Sequence, residues 1–150
     1  MRIHAISVSD RKGVPKRNVT HALLRKGYGI VTDAHAGDWH RQVSLLAKES
    51  IEKMLAKGLE VGPGDFAENI TTEGVDLPSL PIGQKLLLGK ETLIEITQKG
   101  KECHDRCAIY EKAGDCVMPR EGVFCRVLAG GVIRTGDPID LENRGVIVED

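Results

Sequence analysis

The sequence has few aromatic residues and almost no net charge. Only 3% of its 150 residues are Phe, Trp or Tyr, and the formal net charge is -1 at pH 7. Proteins that bind single-stranded nucleic acid stack bases on aromatic rings, and proteins that follow a phosphate backbone carry a basic excess. We therefore expect no nucleic acid partner. Any anionic ligand should be small and should meet a local basic pocket.

Long apolar runs are also lacking. The N-terminus, Met1 to His4, has no signal-peptide stretch, and no segment approaches the length that spans a bilayer. We therefore expect a cytoplasmic protein with no membrane partner. Thiols stay reduced in that compartment. The even number of cysteines therefore does not imply disulfides. Their clustering in the last third of the chain predicts one local site and not a disulfide framework: Cys103, Cys107, Cys116 and Cys125.

The composition is that of one globular domain, which we assign to residues 1–150. Apolar residues make up 41% of the chain and charged residues 29%. Short strand-like segments separated by glycine predict a mainly β fold, an antiparallel β-barrel with one or two short helices. The clearest strands are Ile3 to Val8, Lys85 to Leu88, Leu93 to Thr97 and Val123 to Leu128.

Two helices and a strand–turn–strand unit that closes the barrel complete the predicted fold. Apolar residues at helical spacing predict a helix between Ser44 and Gly58, where the glycine suits a C-terminal cap. A second, shorter helix is predicted over Cys107 to Ala113. The stretch from Arg126 to Ile139 predicts a strand, a tight turn at Gly130 and Gly131, and a strand that closes the barrel.

A first polar cluster lies between Asp33 and Val43. It places two imidazoles, two carboxylates and a guanidinium in a glycine-containing loop. Arg41 is suited to an anionic head group, with His35 or His40 as a hydrogen-bond donor. The alternative is a polar loop whose Asp and His side chains cap strand ends.

A second cluster runs from Pro63 to Gly74, where a tight turn leads into an extended stretch. The amide of Asn69 and the hydroxyls of Thr71 and Thr72 suit phosphate or pterin-like edges. Spacing alone favours the alternative, a turn followed by a half-buried strand.

A third cluster surrounds Cys103. Basic neighbours favour its thiolate, which is what a nucleophile or a soft-metal ligand requires: Lys99, Lys101 and Arg106. Zinc is the rival ligand. Three residues separate Cys103 from Cys107, where two are commonest, and no second close pair follows. Cys125 lies in an apolar run and is predicted to be a core residue.

Taken in this order, the segments resemble the MOSC domain, the module named for the C-terminal part of molybdenum cofactor sulfurases. The resemblance implies a MOSC-type β-barrel and an association with the molybdenum cofactor (molybdopterin), a phosphorylated pterin dithiolene that holds the metal. It is carried by Asp33 to Gly37 with Arg41 to Val43, Asp65 to Gly74, Ile82 to Gly83, Cys103, and Arg126 to Leu128 with Gly136 to Asp137.

The resemblance also implies roles for single residues. Cys103 falls at the family's characteristic cysteine, which ligates molybdenum or carries a persulfide sulfur. The expected cofactor-binding residues, directed at the phosphate or the pterin edge, are His35, Arg41, Asn69, Thr71, Thr72, Lys99, Lys101 and Arg126. One departure is Glu102, which stands where the family usually has proline and opposes thiolate formation.

Three functions follow as hypotheses. The first is a cofactor carrier or sulfur-handling domain whose partners are molybdoenzymes or cofactor-biosynthesis proteins. The second is a molybdenum-dependent reductase of N-hydroxylated compounds, which would require an electron-transfer partner because the chain has no flavin or nicotinamide fingerprint. The third is a cysteine-ligated zinc or sensor module. Pyridoxal phosphate is not expected, because nothing resembles a lysine site for it.

Overall fold

The computed structural model describes residues 1–12, 14–100 and 121–142. Within these ranges the chain is mainly β and contains one α-helix, α1 (Lys48–Ala56). A 3-10 turn covers Leu77–Ser79. The strands are β1 (Arg2–Val8), β2 (Arg17–Val19), β3 (His21–Arg25), β4 (Gly29–Ile30), β5 (Val43–Ala47), β6 (Ile70–Glu73), β7 (Lys85–Leu88), β8 (Thr92–Lys99), β9 (Val123–Ala129), β10 (Gly131–Arg134) and β11 (Ile139–Glu142).

The predicted antiparallel barrel is wrong in two respects. Eight strands form one sheet in the order β11-β7-β8-β9-β5-β6-β1-β2, and β5 pairs with β6 in parallel, so the sheet is mixed. Helix α1 joins these two strands and supplies the crossover that parallel pairing requires. Between the β11 side and β1 the described residues form one isolated bridge, Arg2 to Pro138, and a few backbone hydrogen bonds around it, such as Ile3 N to Asp137 O at 2.8 Å. No continuous ladder closes the sheet into a barrel.

The two strands predicted on either side of the Gly130 and Gly131 turn are confirmed as β9 and β10, but the prediction that they close a barrel is wrong. Strand β10 pairs with β3, which pairs with β4, and these three strands form a second sheet. The chain changes sheets at Gly130, where an added Cβ would lie 2.5 Å from the backbone oxygen of Leu24. A residue without a side chain therefore permits the close approach that sends β10 away from β9.

The four predicted strands are confirmed as β1, β7, β8 and β9. Along β8, Ile94 and Ile96 are fully buried while Glu95 faces the opposite side, as the two-residue period of a strand requires. Cys125 on β9 is fully buried and belongs to the main core, as predicted. Burial, together with the charge of Glu95, raises the pKa of the Cys125 thiol well above its usual value.

The predicted helix is confirmed from Lys48 onward, but it does not begin at Ser44. All five residues of β5 are buried, and this strand lies between β6 and β9. Gly58 ends the helix with φ of +88°, and its N–H donates to the backbone oxygen of Leu55 at 2.9 Å. Ile51 and Met54 pack with Phe124 in a smaller core beside the sheet.

The second predicted helix, Cys107 to Ala113, lies outside the described residues. Within residues 1–12, 14–100 and 121–142, no helix is long and apolar enough to cross a membrane.

Candidate functional site

The loop between β4 and β5 carries the first polar cluster of the sequence, and backbone contacts fix its course. Ala34 N donates to Ser9 O at 2.8 Å, and Gly37 N donates to Tyr28 O at 2.7 Å. The indole Nε1 of Trp39 donates to His35 O at 2.7 Å. The loop therefore meets the end of β1 on one side, and it continues through Trp39 to His40 and Arg41 on the other.

On the first side lies a buried group that we call the Lys16 cluster, formed by Ser9, Lys16, Asp33 and His35. The ammonium of Lys16 is 2.8 Å from Asp33 Oδ1, 3.0 Å from Ser9 Oγ and 3.0 Å from His35 Nδ1. Asp33 Oδ1 also accepts from Ser9 N, and Oδ2 accepts from His35 N at 2.9 Å. The side chains of Lys16 and Asp33 have no exposed surface.

The Lys16 cluster holds its carboxylate ionised. Burial alone would raise the pKa of Asp33, but its contacts with His35, the hydrogen bond and charge of Lys16, and the Ser9 N–H outweigh burial and lower that pKa well below its usual value. An ammonium and a carboxylate are thus buried as a pair. Removing either one leaves a buried charge without its counterion, which is costly even where the intact pair contributes little.

On the second side lies the Gln98 cluster, formed by His40, Arg41, Gln98 and Phe124. His40 Nε2 and Arg41 Nε both donate to Gln98 Oε1 at 2.9 Å. The Gln98 amide nitrogen donates in turn to Gly100 O at 2.9 Å. The guanidinium of Arg41 lies 5.0 Å from the centre of the Phe124 ring. One glutamine therefore joins the Asp33 to Val43 loop to the end of β8.

Arg41 is a half-buried cation that retains donors for a ligand. Within the described ranges its hydrogen bonding involves Nε alone, and no carboxylate lies within ion-pair distance of its guanidinium. The planar fork of two Nη groups suits an oxyanion such as phosphate. Gln98 and Phe124 hold this fork beside Gly100, which precedes Cys103 by three residues in the sequence.

The other predicted cations are less available or lie elsewhere. Arg126 is exposed on β9 and pairs with Glu95 through an N–O contact of 2.7 Å. Lys99 is exposed at the end of β8. Lys101 and Cys103 lie outside the described residues, as do Cys107 and Cys116.

The three predicted pterin contacts are buried. Asn69 Oδ1 accepts from Ser44 N at 3.0 Å, and its Nδ2 donates to Ser7 O at 3.2 Å, so its amide joins β5 and β1, the two strands that flank β6. Thr71 Oγ1 donates to Glu68 Oε2 at 2.8 Å. Thr72 Oγ1 is buried without a hydrogen-bond partner among the described residues. Their contact with a pterin stays a prediction.

Glu68 organises the turn that precedes these residues. It is fully buried, and its carboxyl oxygens accept from Gly64 N at 2.8 Å, from Phe66 N at 3.2 Å and from Thr71 Oγ1. Burial raises the pKa of Glu68 above its usual value, and these hydrogen bonds oppose the shift. Gly64 O accepts from Lys16 N at 2.7 Å, which connects this turn to the Lys16 cluster.

Two residues of the site were missed by the sequence reasoning. Lys16 stands in a run with Arg11, Lys12 and Arg17, a pattern typical of a solvated loop, and nothing local predicts its burial. Gln98 directly follows the predicted strand Leu93 to Thr97, and nothing local predicts its contacts. The described residues contain no group of three or more His, Cys, Asp or Glu side chains that could hold a metal ion. The zinc hypothesis rests on the cysteines outside them and stays a prediction.

Comparisons with known proteins identify a matching family model and several structures with a similar fold. The family model described as "MOSC domain" matches residues 32–140. A structure of YuaD protein from Bacillus subtilis superimposes with a TM-score of 0.77 at 19% identity, covering 92% of this chain and 93% of that one. YiiM from Geobacillus stearothermophilus gives a TM-score of 0.73 at 22% identity, covering 97% and 76%. YiiM from Escherichia coli gives 0.68 at 19% identity, covering 100% and 72%. A search of curated proteins gave no match.

Proposed function

The chain belongs to the MOSC domain family, and from this premise we propose that it binds the molybdenum cofactor and handles its sulfur chemistry. Cys103 is the molybdenum ligand or the carrier of a persulfide sulfur. Arg41 holds the phosphate. In this proposal the domain works in the cytoplasm as a carrier for molybdoenzymes or for cofactor-biosynthesis proteins.

The observation that carries the proposal is the Gln98 cluster. It joins two parts of the sequence that the resemblance singles out, the Asp33 to Val43 loop and the strand end that leads to Cys103. A cofactor with a phosphate at one end and a thiophilic metal at the other requires a cation and a thiolate within one site. The cluster holds the Arg41 cation through Gln98, which also bonds Gly100, and Gly100 precedes the Cys103 thiol by three residues in the sequence.

The chemistry of the described donors fits the phosphate end. Arg41 offers its unused Nη groups, and Lys99 offers an exposed ammonium next to Gln98 in the chain. His35 lies in the same loop as Arg41. Asn69 and Thr71 are already engaged with protein partners. We assign them first to shaping the turn around Glu68, and any contact that they make with the pterin edge requires those side chains to exchange partners.

The cofactor would supply a metal centre that accepts a soft sulfur ligand, and the protein would supply the rest. Arg41 would orient the phosphate, and its stacking on Phe124 would keep the guanidinium in place. Basic neighbours of Cys103 would favour its thiolate, against the opposing charge of Glu102.

Cofactor analysis tests the proposal. The protein is purified, without added metal, from a host that makes the molybdenum cofactor and from a matched host that does not. We expect molybdenum and pterin from the first host only. Zinc without pterin in both preparations would overturn the proposal and favour the zinc module.

A pair of arginine variants tests the role of Arg41. Arg41 and Arg25 each place a guanidinium 5.0 Å from an aromatic ring centre, so Arg25→Ala is a matched control for Arg41→Ala. A charged hydrogen bond contributes about 1.5–3 kcal/mol, which corresponds to a loss of roughly tenfold or more in cofactor affinity for Arg41→Ala. Equal cofactor retention in both variants would remove Arg41 from the phosphate site.

A further inference from the structure

We propose that Lys16 is a positioning residue that fixes His35 as a neutral imidazole with its proton on Nε2, ready to donate a hydrogen bond to an anionic ligand atom. The inference rests on the proposed function for the identity of that ligand, but the state of His35 itself follows from the contacts of the Lys16 cluster.

The first step is the direction of the hydrogen bond between Lys16 and His35. The two nitrogens are 3.0 Å apart, and an ammonium carries protons but no acceptor lone pair. Nδ1 of His35 must therefore accept, which places the ring proton of the neutral imidazole on Nε2. A proton on Nδ1 would point at the ammonium.

The second step is that Lys16 is held as an ammonium and cannot turn away. Asp33 Oδ1 lies 2.8 Å from its Nζ, and neither side chain has exposed surface. Ser9 Oγ accepts a further N–H of Lys16, and its own hydroxyl donates a hydrogen bond to Arg11 O at 2.7 Å. The carboxylate lies farther from the imidazole, since Asp33 Oδ2 and His35 Nδ1 are 3.7 Å apart. The nearer partner of Nδ1 is thus the ammonium.

The third step concerns the outer nitrogen of His35. Its Nε2 has no hydrogen-bond partner within the described part of the chain, and the side chain is 14% exposed. Among those same residues the only buried, unpartnered side-chain polar atoms are Thr72 Oγ1 and Thr92 Oγ1. Nε2 of His35 is not among these buried atoms, so it reaches the surface and is open to a ligand. His35 also lies in the same loop as Arg41.

Within residues 1–12, 14–100 and 121–142, the charged and titratable groups in contact with the His35 side chain are Lys16 and Asp33. With Nδ1 committed to the ammonium, His35 presents a donor and no lone pair. It therefore suits an anionic oxygen or sulfur acceptor and does not suit a metal ion, which requires an unprotonated ring nitrogen.

Nuclear magnetic resonance of histidine labelled with nitrogen-15 tests the inference on the full chain without cofactor, at about pH 8. The pattern of nitrogen-to-ring-proton couplings distinguishes the two neutral tautomers, and His35→Gln assigns the signals. We expect His35 in the Nε2–H form alone. An Nδ1–H form, or a near-equal mixture, would overturn the inference.

Variants separate the role of Lys16 from a general effect on folding. Lys16→Met should convert the single tautomer of His35 into a mixture, and Lys16→Met with Asp33→Asn should do the same while removing both buried charges. Lys12→Met, in the same loop, should leave the tautomer unchanged, because Lys12 lies over the Trp39 ring instead. An unchanged Nε2–H form in the double variant would refute the role of Lys16.

Zinc chloride is the second probe. One equivalent should leave the His35 nitrogen signals in place, and a stoichiometric shift of Nε2 would contradict its assignment as a donor. These measurements need no cofactor, so they fail or succeed independently of the proposed function. A confirmed tautomer in a protein that never acquires pterin would overturn only the molybdenum proposal.

Discussion

The ion pair between Lys16 and Asp33 should be required for stability, although it lies at the candidate site. Both side chains are fully buried and their charged atoms are 2.8 Å apart. Removing one member of a buried pair costs about 3–5 kcal/mol. Unfolding temperatures of domains of this size shift by about 2–4 °C per kcal/mol, so Lys16→Met or Asp33→Asn should lower the midpoint by roughly 6–20 °C.

The double variant provides the decisive comparison. Lys16→Met combined with Asp33→Asn buries neither charge, so its loss should be smaller than the sum of the single losses, by about 2 kcal/mol or more. Urea unfolding followed by circular dichroism measures each free energy. Lys12→Met, the control, should cost less than about 1 kcal/mol. Additive losses would show that the two charges are not coupled and would refute the buried pair.

The pair also fixes the sign of a pH dependence. The pKa of Asp33 is lowered in the folded protein. Its contribution to the free energy of unfolding is therefore complete above the pKa of the unfolded chain, about 3.9, and is lost as the pH falls from there toward the pKa of the folded protein. The wild-type protein should therefore lose more unfolding free energy than the double variant between about pH 5 and pH 2. Parallel curves would contradict the shift.

Two further predictions concern the turn around Glu68. Gly64→Ala should cost more than about 2 kcal/mol, because φ is +92° and the new Cβ would lie 2.3 Å from Lys16 O; Gly62→Ala, with nothing within 4 Å, should change stability by less than about 1 kcal/mol. Glu68→Gln should cost about 1–3 kcal/mol, because one oxygen becomes an NH₂ group facing N–H and O–H donors. Exposed Glu52→Gln is its control. Urea unfolding measures all four, and losses equal to those of the controls would contradict the geometry.

The strands and the main core were predictable because their signals are local. The alternation of apolar and polar residues predicts the strand that carries Ile94 and Ile96, and an apolar run predicts that Cys125 is a core residue. The start of α1 was not predictable from apolar spacing, since the buried strand before it is apolar at nearly every position. The strand–helix–strand order of β5, α1 and β6 is typical of a parallel crossover, but it is recognisable only once β5 is identified as a strand.

The candidate site was predictable only in part. The density of charged residues between Asp33 and Val43 identified the loop, but its partners come from distant segments. Lys16 is buried because the turn at Gly64 and the loop at Asp33 both pack against it, and Gln98 matters because β8 ends beside Arg41. These contacts join segments that are distant in the sequence, so the local sequence around each residue does not predict them.

The most direct test of the central claim compares two cysteines of the same chain. Molybdenum and pterin per chain are measured for the wild type, for Cys103→Ser and for Cys125→Ala, whose thiol is fully buried in the core. We expect both components in the wild type and in Cys125→Ala, and a loss of roughly tenfold or more in Cys103→Ser. Equal molybdenum and pterin in the two variants would contradict a cofactor held through Cys103.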